Sequence, residues 1–317
     1  MHLELSMNPF SVVRVGHINA ASPEPAWLVT SLWGQQAVGF VGGTPKSYKT
    51  WLALKLAVAV ASGKPCLGRF AVPDPGHVLL YAAEDSAAAI RRRVAAIAAA
   101  RRLDLGRLAV GLITEPGLRL DVADHQERLA DTLAKVRPRL LVLDPLVRLH
   151  RGDENNASEI SPLLAFLRGL QREHRTAVAV VHHVRKSSAA QPGQALRGSG
   201  DLHAWSDTNL FLLHRQRRLE LHAEHRDHPA PAPMAVELVK SSPHLQVSDL
   251  PEGDASADND LHKEILDALR QTPMTRSALR DRLRVRNERL GEALAALEAR
   301  GQVRRSEGRL IVPDSVP

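Results

Sequence analysis

Cysteine is almost missing from this chain: of 317 residues, only Cys66 is one. A single cysteine excludes a disulfide framework and a cysteine-rich metal site. Aromatic residues make up 3% of the sequence, too few for a platform on which successive bases stack. No apolar stretch approaches the roughly 18 residues that a bilayer span requires; residues 51–61 are the most apolar candidate, and they are too short and contain Lys55. The N-terminus lacks the basic, apolar and small-residue succession of a secretory signal. No membrane partner and a cytoplasmic location are therefore expected. Acidic residues are also in deficit, with 35 Asp and Glu against 42 Lys and Arg, a net charge of +7. That balance favours an anionic partner without identifying it.

What the chain does contain is ordinary in amount and specific in order. An apolar content of 44% is that of a globular protein, and the length suits one large core with a small satellite. Residues 1–25 lack periodicity and read as an arm. From residue 26, short apolar runs alternate with helical patterns. Residues 37–41, 77–83, 140–143 and 177–181 read as buried strands, and 51–61, 86–102, 122–136 and 159–174 as helices. Residues 108–114 add a possible further strand. Residues 209–213, 218–223 and 234–239 then read as consecutive antiparallel strands. The expected fold class is α/β, a mainly parallel sheet with an antiparallel extension, over residues 26–248. An acidic linker is expected at 249–260, within an acidic stretch that begins near 243. Residues 261–317 read as three amphipathic helices and a hairpin, the layout of a small C-terminal winged helix-turn-helix domain.

The stretch 35–54 organises the rest. An apolar strand runs into Gly42, Gly43, Thr44, Pro45, Lys46, Ser47, Tyr48, Lys49 and Thr50, and a helix follows. Strand, Gly-containing loop, Lys-Thr and helix form the layout of a phosphate-binding loop. Backbone N–H groups at the helix start point at the anion, Lys49 adds a full charge, and Thr50 offers a hydroxyl to Mg²⁺. Gly43 fits the first glycine of G-x-x-x-x-G-K-[ST], but Tyr48 stands where the second belongs. A left-handed Tyr48 would cost roughly 1–2 kcal/mol.

Ligands of α/β sheets gather at the C-terminal ends of strands, and suitable residues stand at each such end. Asp144 closes an apolar strand and would hold Mg²⁺ through water beside Thr50. Glu84 follows another strand and is the candidate general base for an attacking water, with Asp85 as its competitor. Helix capping is the alternative role for Glu84. His183, or alternatively His182, could sense a terminal phosphate. His222, His225 and His228 match no tetrahedral zinc spacing. Asp153 and Glu154 read as solvated loop acids.

Five blocks occur together in order: Gly43-Thr44-Pro45-Lys46 with Lys49-Thr50, Tyr81-Ala82-Ala83-Glu84-Asp85, Leu143-Asp144-Pro145-Leu146, Gly152-Asp153-Glu154-Asn155, and His182-His183-Val184-Arg185-Lys186. In this combination residues 26–240 resemble the RepA-type branch of RecA-like ATPases, relatives of the DnaB replicative helicases. The resemblance implies a RecA-like P-loop core, ATP with Mg²⁺, and ring-shaped assembly with itself, often hexameric, around DNA. It also implies an arginine finger in a Lys-x-Arg segment. The matching residues are Glu224-His225-Arg226, so Arg226 is retained while Glu224 replaces the lysine. Arg197 is a second candidate, as finger or in a DNA-facing loop.

Residues 261–317 carry 12 Lys and Arg against 8 Asp and Glu, a net of +4. Arg280, Arg282, Arg284, Arg286 and Arg289 surround the presumed recognition-helix turn, and Arg304 and Arg305 fall on the hairpin. Such residues hold DNA phosphates in helix-turn-helix proteins; a protein-binding winged helix is the competing reading. The whole points to an ATP-hydrolysing, DNA-associated ring protein. A KaiC-like nucleotide-gated regulator and a non-enzymatic DNA-binding adaptor are the alternatives.

Overall fold

The computed structural model describes residues 12–17, 26–184, 200–215, 218–239, 241–248, 255–285, 287–299, 301–306 and 308–313. The chain divides into two compact units that meet at Val247 and Ser248. In the first, β1 (Trp27–Val29) and β2 (Trp33–Gly34) form a short hairpin. Then follow β3 (Val38–Gly43), α1 (Lys49–Ser62), β4 (Val78–Ala82), α2 (Ala87–Ala100) and β5 (Val110–Ile113). Next come α3 (Ala123–Val136), β6 (Leu140–Asp144), α4 (Ala157–His174), β7 (Ala177–His183) and α5 (Gly200–Trp205). The unit ends with β8 (Thr208–Arg215), β9 (Arg218–His225), β10 (Met234–Val239) and β11 (His244–Val247).

Among the described residues one nine-stranded sheet runs β11-β10-β9-β8-β3-β7-β6-β4-β5. The six strands from β8 to β5 are parallel to their neighbours, and β9, β10 and β11 extend the sheet antiparallel. The architecture is thus α/β, with a mainly parallel sheet and an antiparallel edge. β3 lies near the middle, with β7 on one side and β8 on the other. Its loop therefore opens at a central position of the sheet edge.

Strand alternation divides the core between the two faces. Val41, Leu80, Val142, Ala179 and Leu212 point to the face covered by α1 and α2. Phe40, Leu79, Tyr81, Leu143 and Val180 point to the face covered by α3, α4 and α5. α1 is buried almost all round, as expected of an apolar helix packed into the centre of a domain. Helix starts follow their caps: the Ser86 hydroxyl accepts from the Ala89 N–H at 3.2 Å and starts α2. Capping by Ser86 removes that role from Glu84.

Two expectations change. Residues 244–247, within the stretch read as the start of a linker, form β11, in register with Val236–Val239 of β10. α6 (Ala255–Gln271) begins inside the expected linker at 249–260.

The second unit contains α6, α7 (Arg276–Leu283), α8 (Asn287–Ala299) and the hairpin of β12 (Arg304–Ser306) and β13 (Arg309–Ile311). Its core joins Leu261, Ile265, Leu279, Leu290, Leu294 and Leu310. No helix among the described residues is long and apolar enough to cross a membrane.

Candidate nucleotide site

The site starts where β3 ends. Gly43 pairs with His183 of β7 and Leu212 of β8. A Cβ on Gly43 would lie 2.4 Å from the Ser47 hydroxyl and 2.7 Å from the Leu212 carbonyl oxygen. The loop folds back so tightly here that only glycine fits. Ser47 is fully buried, and its N–H donates to the Thr44 carbonyl at 3.2 Å. Lys46 and Tyr48 both take left-handed backbone conformations, with φ of 64° and 65°. Tyr48 therefore does occupy the left-handed position where the motif has glycine, and its side chain is 40% exposed. No side chain caps α1, so the first-turn N–H groups remain directed at an incoming anion.

Lys49 is only 7% exposed, and its Nζ donates to the Thr44 carbonyl at 2.9 Å. Burial lowers its pKa, against the opposing pull of Asp144 and Glu84. The Thr50 hydroxyl donates to Asp144 Oδ2 at 2.7 Å. Burial pushes the Asp144 carboxyl up to about 6, despite the Thr50 hydrogen bond and Lys49. A buried carboxylate disfavoured in its charged form, next to a hydroxyl, is a receptive environment for a divalent cation. Both are oxygen donors, as Mg²⁺ prefers, and two protein ligands suffice where phosphates and water supply the rest. Among the described residues no group of three or more His, Cys, Asp or Glu side chains could hold a metal by itself. Thr50 and Asp144 thus fit an ion that arrives with a nucleotide.

β4 delivers the two acids. Ala82 pairs with Asp144, and the Ala83 N–H donates to the Asp144 carbonyl at 2.7 Å. Asp85 receives both Nη groups of Arg93, at 2.5 and 3.0 Å. Glu84 is half exposed and has one such contact, from Arg148 Nε to its Oε1 at 2.8 Å. Both carboxylate oxygens of Asp85 are occupied, so Glu84 is the freer of the two.

The paired histidines of β7 point opposite ways. His182 is 1% exposed and lies against Phe40, with ring centroids 5.7 Å apart. Its Nδ1 lies 3.6 Å from Glu154 Oε1, and His150 Nε2 lies 3.9 Å from the same oxygen. Glu154, read from sequence as a solvated loop acid, is instead turned inward between two buried rings. His183 faces the loop side; burial first, then Lys49 and His182, lower its pKa.

Arg226 lies elsewhere. β9 runs antiparallel to β8, and His225 pairs with Thr208, which itself pairs with Gly39 at the start of β3. Gly43 stands at the other end of β3, about 13 Å away at the usual rise per residue. Arg226 is ion-paired with Asp207 at 3.3 Å and donates to the Ala204 carbonyl. It borders a cavity of about 640 Å³ shared with His203, Ser206, Asn209, Glu224 and His228. The fold therefore brings Gly43 to Thr50, Glu84, Asp144 and His183 together, and leaves Arg226 at the opposite sheet edge.

The three spaced histidines do not converge on one point: His222 pairs with Glu220 at 2.9 Å, His225 with Thr208 at 3.2 Å, and His225 and His228 both lie against Trp27. In the second unit Arg280 is paired with Asp281 at 2.6 Å, and Arg282 donates to Gln271. Arg284 closes α7 in a left-handed conformation, and both it and Arg304 are exposed. Arg185, Lys186, Arg197 and Arg286 lie outside the described residues, as do the side chains of Arg289 and Arg305. Sequence reasoning missed Arg93, Arg148 and His150. Only the spacing of Arg93, eight residues after Asp85 and so near it across two helical turns, offered a signal.

A solved structure described as the crystal structure of the RadB recombinase is similar to this chain, with a TM-score of 0.48 and 19% identity. The match covers 68% of this chain and 92% of that one. The profile of the AAA_25 family, described as an AAA domain, matches residues 4–189, and this chain belongs to that family of P-loop nucleotide-hydrolysing domains.

Proposed function

We propose that this chain is an ATP-hydrolysing, DNA-associated ring protein of the RepA type, a helicase or replication ATPase. The observation that carries the reading is the Thr50–Asp144 hydrogen bond beside buried Lys49, with Glu84 one strand end away. In this reading Lys49 exchanges its Thr44 carbonyl for β- and γ-phosphate oxygens. The unpaired backbone N–H groups of the loop and of the first turn of α1 cradle the phosphates. Thr50 and Asp144 would hold Mg²⁺, which neutralises charge on the β- and γ-oxygens when bound. Glu84 accepts the proton of the attacking water. His183, kept neutral by its surroundings, can donate one ring N–H to the terminal phosphate.

A ring supplies what a single chain lacks. Arg226 stands at the edge opposite its own phosphate loop, so it serves a neighbouring copy's nucleotide if it serves any. The second unit, three helices and a hairpin, is read as a winged helix that holds duplex DNA through Arg284 and Arg304 and the other arginines near them. The boundaries proposed are an arm at 1–25, the ATPase at 26–248, and a connection from 249 into the winged helix, whose first helix begins at Ala255. One observation favours the regulatory, KaiC-like alternative: Glu224 replaces the motif lysine and lies 3.5 Å from His203, which suits slow turnover.

The deciding experiment measures ATP hydrolysis with and without single-stranded DNA, alongside particle mass with ATP present. Stimulated hydrolysis by a multimer supports the motor. Slow, DNA-indifferent hydrolysis with tight duplex binding supports the regulator, and absence of nucleotide binding overturns both.

A further inference from the structure

Arg148 has no role in the reading above, yet among the described residues it makes the one side-chain hydrogen bond to Glu84. It stands on the short helical turn Leu146–Arg148 that directly follows β6 and Asp144. The same turn exposes Val147 and is anchored beneath by buried Leu146 and Leu149. The backbone under Arg148 is thus fixed, while its side chain is 62% exposed. The contact is one-pronged, through Nε to one carboxylate oxygen at 2.8 Å. Arg93, by contrast, clamps both oxygens of Asp85 from the middle of α2. One acid of the pair is held structurally; the other is held by a weak, displaceable partner.

We propose that Arg148 is a positioning residue that latches Glu84 in an idle orientation and releases it when a phosphodiester chain competes for the guanidinium. The proposal rests on Glu84 being the general base. A carboxylate that accepts from a charged guanidinium is a weaker base toward the attacking water, and its orientation is set by that partner. Exposed one-pronged pairs hold weakly and are screened by salt, so a polyanion needs little affinity to break this one. Arg148 is suited to that exchange: it is a planar donor fork beside an apolar Val147, on the sheet edge that carries the nucleotide site. Nucleic acid binding would then couple to hydrolysis through one ion-pair exchange, with no domain motion.

The test compares the full-length wild type, Arg148→Ala and Arg148→Lys in steady-state ATP hydrolysis, with and without a single-stranded oligonucleotide. Arg148→Ala should raise basal kcat about two- to fivefold with KM for ATP unchanged, the size set by a weak exposed pair. Its oligonucleotide stimulation should largely vanish. Wild-type basal kcat should rise with ionic strength, while that of Arg148→Ala should not. Arg148→Lys, which keeps the charge and loses the fork, should fall between. A lower basal kcat in Arg148→Ala, or full stimulation retained, overturns the latch. If the wild type is not stimulated but Arg148→Ala is still faster and salt-insensitive, the latch stands and the nucleic-acid reading falls. If neither protein hydrolyses ATP, freeing Glu84 achieves nothing and the latch falls with the ATPase.

Discussion

The two edges of the central sheet are built on opposite principles. At the edge where β3 ends, charges converge: Lys49, Asp144 and His183 are all shifted by burial and by one or more charged neighbours, Glu84 among them, and Thr50 is bonded to Asp144. At the edge where β3 begins, charges are paired off: Arg226 with Asp207, Arg168 with Asp207 and His203 with Glu224. The first edge is a site awaiting an anion, and the second already balances its own charge. On the proposed reading, the difference means that the first edge holds nucleotide with this chain's own residues, whereas Arg226 would meet phosphate only by exchanging Asp207 for it.

Lys49→Ala breaks this comparison most severely, because it removes the cation from the convergent edge. Nucleotide binding should be lost and hydrolysis should fall by at least about 10²–10³-fold, the usual cost of removing one preorganised charge. A variant that binds ATP undiminished in a calorimeter removes the phosphate-loop assignment.

Arg226→Ala tests the balanced edge. ATP binding should persist while turnover drops by roughly 10³-fold or more, the scale set by arginine fingers. Glu84→Gln should likewise bind and scarcely hydrolyse. Mixed, the two inactive variants should regain part of the activity, since one interface then pairs an intact Glu84 with an intact Arg226. If subunits demonstrably exchange and no activity returns, Arg226 is only the counter-ion of Asp207.

A third test separates burial from function on one helix. Lys55 follows Lys49 on α1 and is even more buried, at 3% exposure. Burial, reinforced by Arg101, lowers its pKa to about 8, and the Cys66 thiol, pushed up to about 12, offers no counter-charge at neutral pH. The sign follows from proton counting. Between pH 8 and 10.5 the unfolded chain holds a proton that the folded chain does not, so stability should rise with pH there. Below pH 8 both hold it, and the full cost of about 3 kcal/mol applies. Lys55→Met should therefore stabilise the protein at pH 7 by up to that amount and flatten the rise. Denaturant midpoints from pH 7 to 10.5 decide it; an unchanged pH profile means that Lys55 is solvated.

The convergent edge was legible because each residue ends a strand whose apolar run is visible: 140–143 before Asp144, 77–83 before Glu84, 177–181 before His183. Hydrophobic period and strand-end chemistry are local signals, and the sheet reads them in order. What stayed hidden was non-local. Nothing near Glu154 announces His150 and His182, because burial of that loop depends on β7 arriving beside it. Arg148 looks like any solvated arginine until Glu84 is placed next to it. β11 was hidden for a different reason: its four residues include His244 and Gln246, and only β10 alongside makes that segment a strand.

The smallest expected effect comes from Tyr48, which with Lys46 is one of two non-glycine residues of the loop in a left-handed conformation. Its φ of 65° places an L side chain in the left-handed region, at roughly 1–2 kcal/mol. The residue is 40% exposed, so packing among the described residues covers only part of it. Tyr48→Gly removes the strain but widens the unfolded ensemble, which returns roughly 0.4–1 kcal/mol. The net gain in stability should be no more than about 1 kcal/mol, and ATP affinity should stay within about threefold, because the loop N–H groups keep their directions. Tyr48→Ala separates the two contributions: it keeps most of the strain, loses the ring, and should leave stability nearly unchanged. Denaturation of the three proteins without nucleotide, with ATP affinity measured beside it, provides the comparison. If Tyr48→Gly is less stable than the wild type and Tyr48→Ala equally so, the ring makes a contact worth more than its strain. The exposed tyrosine would then mark a surface covered by a second copy, which would join the two edges physically.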